Sequence, residues 1–214
     1  MKAILSTLII SAALAMGANA DVHSDHSTTT APAAVSAAQA STQAALRDLW
    51  VEHVFWVRNY VLASKTKDAA QIKAATAQVL ANATSISGAV AAYYGKPAGE
   101  KMLTLLAGHW GAVKAYSDAT FSKNAKGQED ASAQLVTNAK AIAAFLASAN
   151  PNLPEATLVR LLSAHGAHHF AQAQQIYKSD YEAEAKTWAG MRSHMITIAD
   201  ALASAIAKQF PEKF

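Results

Sequence analysis

The sequence predicts an all-α fold, a six-helix bundle made of three repeated antiparallel helical hairpins. Alanine, leucine, valine and isoleucine recur at helical spacing after about residue 41, and no long stretch alternates between polar and apolar residues as a strand would. Breaks in this pattern separate six helices of roughly 22 to 30 residues each. These breaks fall at 65–68, 95–97, 123–127, 150–154 and near Ser179.

Three of the predicted helices begin with a recognisable start signal. Pro97 and Pro154 suit the first turn of a helix, where the missing N–H costs no intrahelical bond. Asp180 suits an N-cap, and Glu182 and Glu184 would follow in the first turn, where negative charge is favourable. Because the connections are short, we expect the two helices of each hairpin to pack antiparallel.

A histidine recurs at a fixed interval along the chain. His53, His109 and His165 end the segments LWVEH, LLAGH and LLSAH, and the differences 109 − 53 and 165 − 109 are both 56. Each histidine lies on the apolar stripe of its predicted helix, so its side chain is expected to point inward. The sequence therefore predicts three repeats with a period of 56 residues, over about 42–95, 96–150 and 151–209.

A second polar position follows each histidine in the same register. Asn82, Asn138 and His194 each lie 29 residues after it (82 − 53, 138 − 109 and 194 − 165). In an antiparallel hairpin this spacing places the two polar residues at similar distances from the loop, so they are expected to meet.

The amino terminus has the features of an export signal. Residues 1–20 contain one lysine, an apolar stretch and the small residues Ala18-Asn19-Ala20, which are typical of a cleavage site. Residues 21–41 are rich in Ser, Thr and Ala and are predicted to be a disordered leader. The helical bundle domain is then 42–214. The protein is expected to be periplasmic or secreted and to have no membrane span, because no later segment is apolar for long enough.

Composition limits the chemistry that this chain can perform. It contains no cysteine, so neither disulfides nor thiolate metal sites are available. The formal net charge of +3 is spread along the chain, which does not favour binding to nucleic acid. We find no phosphate-binding glycine loop, nucleophile elbow or zinc-protease helix, and an enzyme is therefore not the favoured interpretation.

Two interpretations of the repeated histidines remain open. In one, His53, His109 and His165 converge on a pseudo-threefold axis, with His194 nearby, and form an all-imidazole site for copper or zinc. In the other, each ring bonds to the residue that faces it, so that histidine–asparagine pairs fix the register of the hairpins and have no ligand. The second would suit a structural or interaction protein of the envelope.

The third repeat is the richest in imidazole. His165 and His169 are four residues apart, so their rings can reach one metal ion from consecutive turns of a helix. His168 either supports this site or lies at a solvated edge. Met191 and Met195 flank His194 and offer thioether ligands that suit Cu(I), although methionines at this spacing are also common core residues.

The leader offers a separate metal signal. Cleavage after Ala20 would make His23 the third residue of the mature chain. A free amine, two amides and an imidazole then form a square-planar nitrogen site for Cu(II) or Ni(II). Together with the methionines around His194, this motif ranks copper slightly ahead of zinc.

Four segments resemble a poorly characterised bacterial family of helical proteins, and the likeness covers most of the chain after the leader. They are LWVEHVFWVRNYV (49–61), AAYYGKPAGEKMLTLLAGH (91–109), AFLASANPNLP (144–154) and the C-terminal SDYEAEAKTW…SHMITIADALASAI…QFPEKF. The resemblance implies the helical fold and the six repeated polar positions, without an activity. The family pattern places Glu before each repeated histidine, and here Glu52 alone matches it.

Two further alternatives stay open. Aromatic residues such as Trp50, Trp56 and Tyr60 could line a pocket for haem, which would need one axial histidine. A metalloenzyme would need an open coordination position on the metal and a carboxylate within its reach. The expected function is an exported protein that binds or handles a transition metal through its histidines.

Overall fold

A computed structural model describes residues 35–214, which form six α-helices and a final 3-10 turn. No strand occurs in this range, so the predicted all-α helical bundle is confirmed. The predicted signal, 1–20, lies outside the described residues, as does most of the predicted leader. In chain order the helices are α1 (Ala37–Thr66), α2 (Ala69–Tyr94), α3 (Lys96–Phe121), α4 (Ala125–Ala149), α5 (Glu155–Lys178) and α6 (Tyr181–Gln209).

Helix α1 begins at Ala37, inside the segment 21–41 that was predicted to be disordered. The side chain of Ser36 accepts a hydrogen bond from the backbone N–H of Gln39 and so caps the helix. The alanines that follow have the highest intrinsic helix propensity, which allows the helix to extend beyond the packed domain. The prediction was wrong for the last five residues of this segment.

The other helix ends follow the sequence signals closely. Pro97 lies in the first turn of α3, and the Asp180 side chain accepts from the N–H of Ala183 to cap α6, both as expected. Pro154 is not in the first turn of α5 but is its N-cap residue, because its carbonyl accepts the first backbone bonds of that helix, from Thr157 and Leu158.

Helices that are consecutive in sequence pack against each other, and α6 returns to pack against α1. The connections contain only one to five residues, which makes consecutive helices antiparallel. The three helices that carry the repeated histidines, α1, α3 and α5, also contact one another. They therefore form the inside of the bundle. None of the helices in residues 35–214 has the length and apolarity that crossing a membrane requires.

Two apolar clusters fill the bundle, and the repeated histidines lie between them. On each inner helix, a residue of the first cluster lies about one turn before the repeated histidine, and a residue of the second lies about one turn after it on α1 and α3 and about two turns after it on α5. The histidines thus form a polar layer inside an otherwise apolar core. The flanking pairs are Trp50 and Val57 on α1, Leu106 and Val113 on α3, and Leu162 and Ala173 on α5.

Candidate metal centre

The three repeated histidines meet in the middle of the bundle. The ring centroids of His53 and His109 are 5.6 Å apart, those of His53 and His165 5.8 Å, and those of His109 and His165 5.4 Å. The three rings thus form a nearly equilateral triangle, with one corner on each inner helix. Their exposed fractions are 3%, 5% and 2%, so the triangle is closed to solvent.

His169 adds a fourth ring to this triangle from the next turn of α5. Its centroid lies 6.0 Å from that of His53, 5.7 Å from that of His109 and 4.4 Å from that of His165. The Nε2 atoms of His165 and His169 are 3.0 Å apart. One ring nitrogen from each of the four histidines lies within 4.8 Å of the others, a separation at which the group could hold a metal ion.

Each hairpin fixes its histidine helix through one side-chain hydrogen bond from the second helix. The donor reaches the backbone carbonyl four residues before the histidine, one turn away on the same helix. All three bonds span 33 residues of sequence, as a threefold repeat would require, although the period of 56 residues itself stays a prediction. They run from Asn82 Nδ2 to Leu49 O (3.0 Å), from Asn138 Nδ2 to Leu105 O (2.9 Å) and from His194 Nε2 to Leu161 O (2.8 Å).

In the first hairpin, these bonds correct the expected histidine–asparagine pairing. Neither ring nitrogen of His53 has a hydrogen-bond partner, and the amide of Asn82 donates instead to Leu49 and to the Glu52 carboxylate. The reason is geometric, since the His53 ring points to the centre of the bundle while Asn82 meets α1 at its backbone. A direct pair of these two side chains was therefore the wrong prediction.

Burial keeps all four imidazoles neutral. It lowers the pKa of His53 to about 3, with a further lowering by His109. It lowers the pKa of His109 to about 4, and the neighbouring Asn138 amide opposes part of that shift. Burial and the adjacent histidines hold the pKa of His165 and of His169 well below the usual range. Neutral imidazole is the form that binds a metal ion.

Several of these buried nitrogens have no hydrogen-bond partner. They are both ring nitrogens of His53, Nε2 of His109, and Nδ1 of His165 and His169. A buried polar atom without a partner costs about 1–3 kcal/mol, so a core usually avoids such groups. A void of about 10 Å³ lies between three of the rings and Trp50, Leu106, Ile142 and Leu162. It has room for a single ion or at most about one water molecule.

The other candidate residues lie apart from this group. His168 and His194 are half-buried and form a separate pair, with ring centroids 5.4 Å apart. Met191 and Met195 are buried in the first apolar cluster, as core residues would be. Glu52 is exposed, and His23 lies outside the described residues.

Sequence reasoning missed a buried acid close to the histidines. Glu184, expected in the first turn of α6, is 1% exposed and receives two bonds from Arg58 of α1, at 2.6 and 2.7 Å. Gln172, one turn after His169, donates a third at 2.9 Å. Burial alone would raise the pKa of Glu184, but Arg58 and Gln172 outweigh it and the pKa is lowered. No local sequence pattern predicts the Arg58–Glu184 ion pair, because the two residues are 126 positions apart in the chain.

Comparison of the chain with family models, with curated proteins and with solved structures finds no match. The arrangement of the four imidazoles therefore has to carry the functional argument by itself.

Proposed function

We propose that this chain is an exported protein that binds one transition metal ion through His53, His109, His165 and His169. The observation that carries the proposal is the meeting of four buried, neutral imidazoles whose ring nitrogens largely lack other partners. A metal ion would bind one lone pair on each ring, and so would offset part of the cost of burying the four imidazoles.

The spacing of the rings supports a tetrahedral ion. With metal–nitrogen bonds of about 2.0–2.1 Å, four tetrahedral imidazoles have centroids about 5.2 Å apart, whereas a square plane requires four separations of about 4.5 Å and two of about 6.4 Å. Five of the six separations here are between 5.4 and 6.0 Å, and only that of His165 and His169 is shorter, at 4.4 Å. This pattern is closer to the tetrahedron.

A tetrahedral nitrogen site favours Zn(II) or Cu(I) over Cu(II). The two signals that ranked copper first, the methionines beside His194 and the leader motif at His23, do not belong to the four-histidine group. Zinc and Cu(I) are therefore equal candidates for this site.

The composition of the site supports holding a metal rather than using it in a reaction. Catalytic zinc sites keep one coordination position open for water or substrate, whereas this group offers four protein ligands and no carboxylate. The void of about 10 Å³ has no room for a porphyrin, which argues against haem at this site. Storage, transfer or metal-dependent stabilisation of the fold are the roles that fit.

An envelope structural or interaction protein is the alternative function. The three hydrogen bonds from Asn82, Asn138 and His194 favour it, because they fix the hairpins without any metal. In that case the histidine layer would specify the register of the helices. The two functions differ in what happens when metal is supplied.

The test is metal retention by protein purified without an affinity tag, stripped with a chelator and reloaded with Zn(II) or Cu(I). We expect one equivalent per chain by plasma mass spectrometry after desalting, and its loss in His109→Ala. Ser117→Ala is the matched control, because it removes a buried, unpartnered hydroxyl from the same helix without touching the histidines. Wild-type protein that retains no metal would refute the proposal and leave the structural alternative.

Export is tested separately. Protein recovered from the periplasm or medium of a bacterial host should begin at Asp21, as shown by intact mass and N-terminal sequencing. A product that keeps residues 1–20 and stays in the cytoplasm would contradict this part of the proposal and leave the metal site unaffected.

A further inference from the structure

We propose that His168 and His194 form an outer cation site through which a divalent transition metal ion reaches the buried four-histidine centre. This inference rests on the proposed function, since an outer site of this kind has a purpose only if the inner centre binds metal. The buried centre is closed to solvent, so an ion needs a route through the helices around it.

The two rings are placed to share one ion. His168 on α5 and His194 on α6 have centroids 5.4 Å apart and an interplanar angle of 68°. Two imidazoles bound to the same tetrahedral ion have centroids about 5.2 Å apart. Both side chains are half-buried, so an ion can reach this pair from solvent more easily than the four central rings, although the Nδ1 atom of His168 itself is buried.

His194 is held in the tautomer that a ligand requires. Its Nε2 lies 2.8 Å from the carbonyl oxygen of Leu161, and because a carbonyl can only accept, Nε2 carries the proton. Nδ1 is then the ring nitrogen that would offer a lone pair to a metal ion. A hydrogen bond from one ring nitrogen to a backbone carbonyl is the arrangement that orients most metal-binding histidines.

His168 also has a nitrogen available. Its Nδ1 is buried and has no hydrogen-bond partner. Its ring lies against α6 beside Gly190, where a Cβ atom would be 4.0 Å from Nε2. Gly190 is one turn before His194, so the His168 ring rests on the same face of α6 that carries its proposed co-ligand.

The outer pair adjoins the centre along α5. His168 is three residues after His165 and directly precedes His169, and side chains three residues apart are neighbours on a helix surface. An ion held by His168 is therefore next to the central ligand His165, whereas the ring of His169, the adjacent residue, leaves the helix in a different direction. A stepwise exchange of imidazoles would carry it inward without any need for the bundle to open fully.

The other two hairpins lack this pair. The positions equivalent to His194 hold Asn82 and Asn138, and those equivalent to His168 hold Trp56 and Ala112. The asparagines still make the bond to the backbone carbonyl. The histidine of the third hairpin is therefore not needed for that bond, and its imidazole is available for another role.

This comparison supplies a matched variant. His194→Asn should keep the hydrogen bond to Leu161, as Asn82 and Asn138 keep theirs, while it removes the second imidazole. We would load the full mature chain, freed of metal, with Co(II) and follow the visible bands of tetrahedral cobalt by stopped flow. His168→Ala and the Ser117→Ala control would be measured alongside.

We expect all four proteins to reach the same final band intensity, and His194→Asn and His168→Ala to reach it at least about tenfold more slowly than wild type. Loading of both variants at the wild-type rate would overturn the outer site while leaving the buried centre intact. Wild-type protein that develops no cobalt band would count against the buried centre itself, so the two failures are distinguishable. Circular dichroism confirms that each variant is folded before loading.

Discussion

Two polar clusters lie about one turn apart on α5, and they differ in how completely their atoms are paired. The Glu184 carboxylate receives three hydrogen bonds, from Arg58 and Gln172, and its charge is balanced by the guanidinium. The four-histidine group next to it has five buried ring nitrogens without a partner. The Glu184 carboxylate is therefore fully paired within the chain, although the neighbouring Gln172 Oε1 has no partner, whereas the histidine group keeps several ring nitrogens that a ligand could use. Both clusters are buried, so the pairing of their polar atoms, rather than burial alone, makes the histidine group the candidate metal centre.

Lowering the pH should reveal the largest difference between the two clusters in their contributions to the free energy of unfolding. The unfolded chain binds protons at its histidines below about pH 6.5, whereas folded His109 and His53 resist protonation until about pH 4 and about pH 3. The free energy of unfolding of the metal-free protein should therefore be highest above pH 6.5 and fall as the pH falls. The expected slope is about 1.4 kcal/mol per pH unit for each such histidine.

The Glu184 cluster should respond in a lower window. Its pKa is lowered in the folded state from an ordinary value of 4.5, so its contribution is present above that value and is lost only as the pH falls below it. Urea unfolding at pH 7, 6, 5, 4 and 3 shows whether the histidine effect precedes the Glu184 effect as the pH falls. His53→Leu should reduce the slope between pH 6.5 and 4 by one proton, and an unchanged slope would show that this ring is not held neutral by the fold.

Metal binding should raise the free energy of unfolding of the protein by several kcal/mol. At a free metal concentration of about 1,000 times Kd, binding to the folded state alone raises the free energy of unfolding by about 4 kcal/mol. Thermal unfolding with Zn(II) and then with excess chelator measures this shift. It should vanish in His165→Ala, and a shift of equal size in that variant would place the bound metal elsewhere.

Glu184→Gln should destabilise the fold without changing metal binding. It removes the charge that balances Arg58, and breaking a buried ion pair costs about 3 kcal/mol or slightly less, because Arg58 is 29% exposed and can regain water. Urea denaturation measures the loss, and metal retention should stay at the wild-type level. Loss of metal in this variant would mean that the Glu184 cluster is also needed for metal binding by the four histidines.

Asn138→Ala should give the smallest effect. The substitution removes one hydrogen bond to the Leu105 carbonyl, worth about 1 kcal/mol, and leaves the charges of both clusters unchanged. Asn82→Ala removes the equivalent bond to Leu49 and also a bond to the exposed Glu52 carboxylate, so its loss of stability should be similar or slightly larger. A fall in the free energy of unfolding of more than about 3 kcal/mol in one variant alone would show that the three hairpins contribute unequally to stability.

The sequence predicts the local features of this molecule well. Helical spacing and capping residues such as Asp180 identify the six helices, and the four-residue spacing of His165 and His169 places their rings on one face. The structure also brings His53 and His109 to these two. Each of these features depends on one helix or on a repeat that is visible in the sequence.

Contacts between distant helices could not be predicted in the same way. Glu184 reads as a favourable first-turn acid, and only the packing of α6 against α1 brings it to Arg58, 126 residues away. Asn82 was expected to reach the His53 ring, but the offset of the two helices leads its amide to the backbone. The same offset takes His194 to Leu161 and away from the central group. Such offsets depend on side-chain packing, which has no periodic signal.

X-ray absorption spectroscopy of the zinc-loaded protein tests the central claim most directly. Four buried imidazoles predict four nitrogen ligands at about 2.0 Å and the multiple-scattering pattern of histidine rings. A spectrum with two or fewer imidazoles, completed by water or carboxylate oxygen, would contradict a metal centre made of His53, His109, His165 and His169.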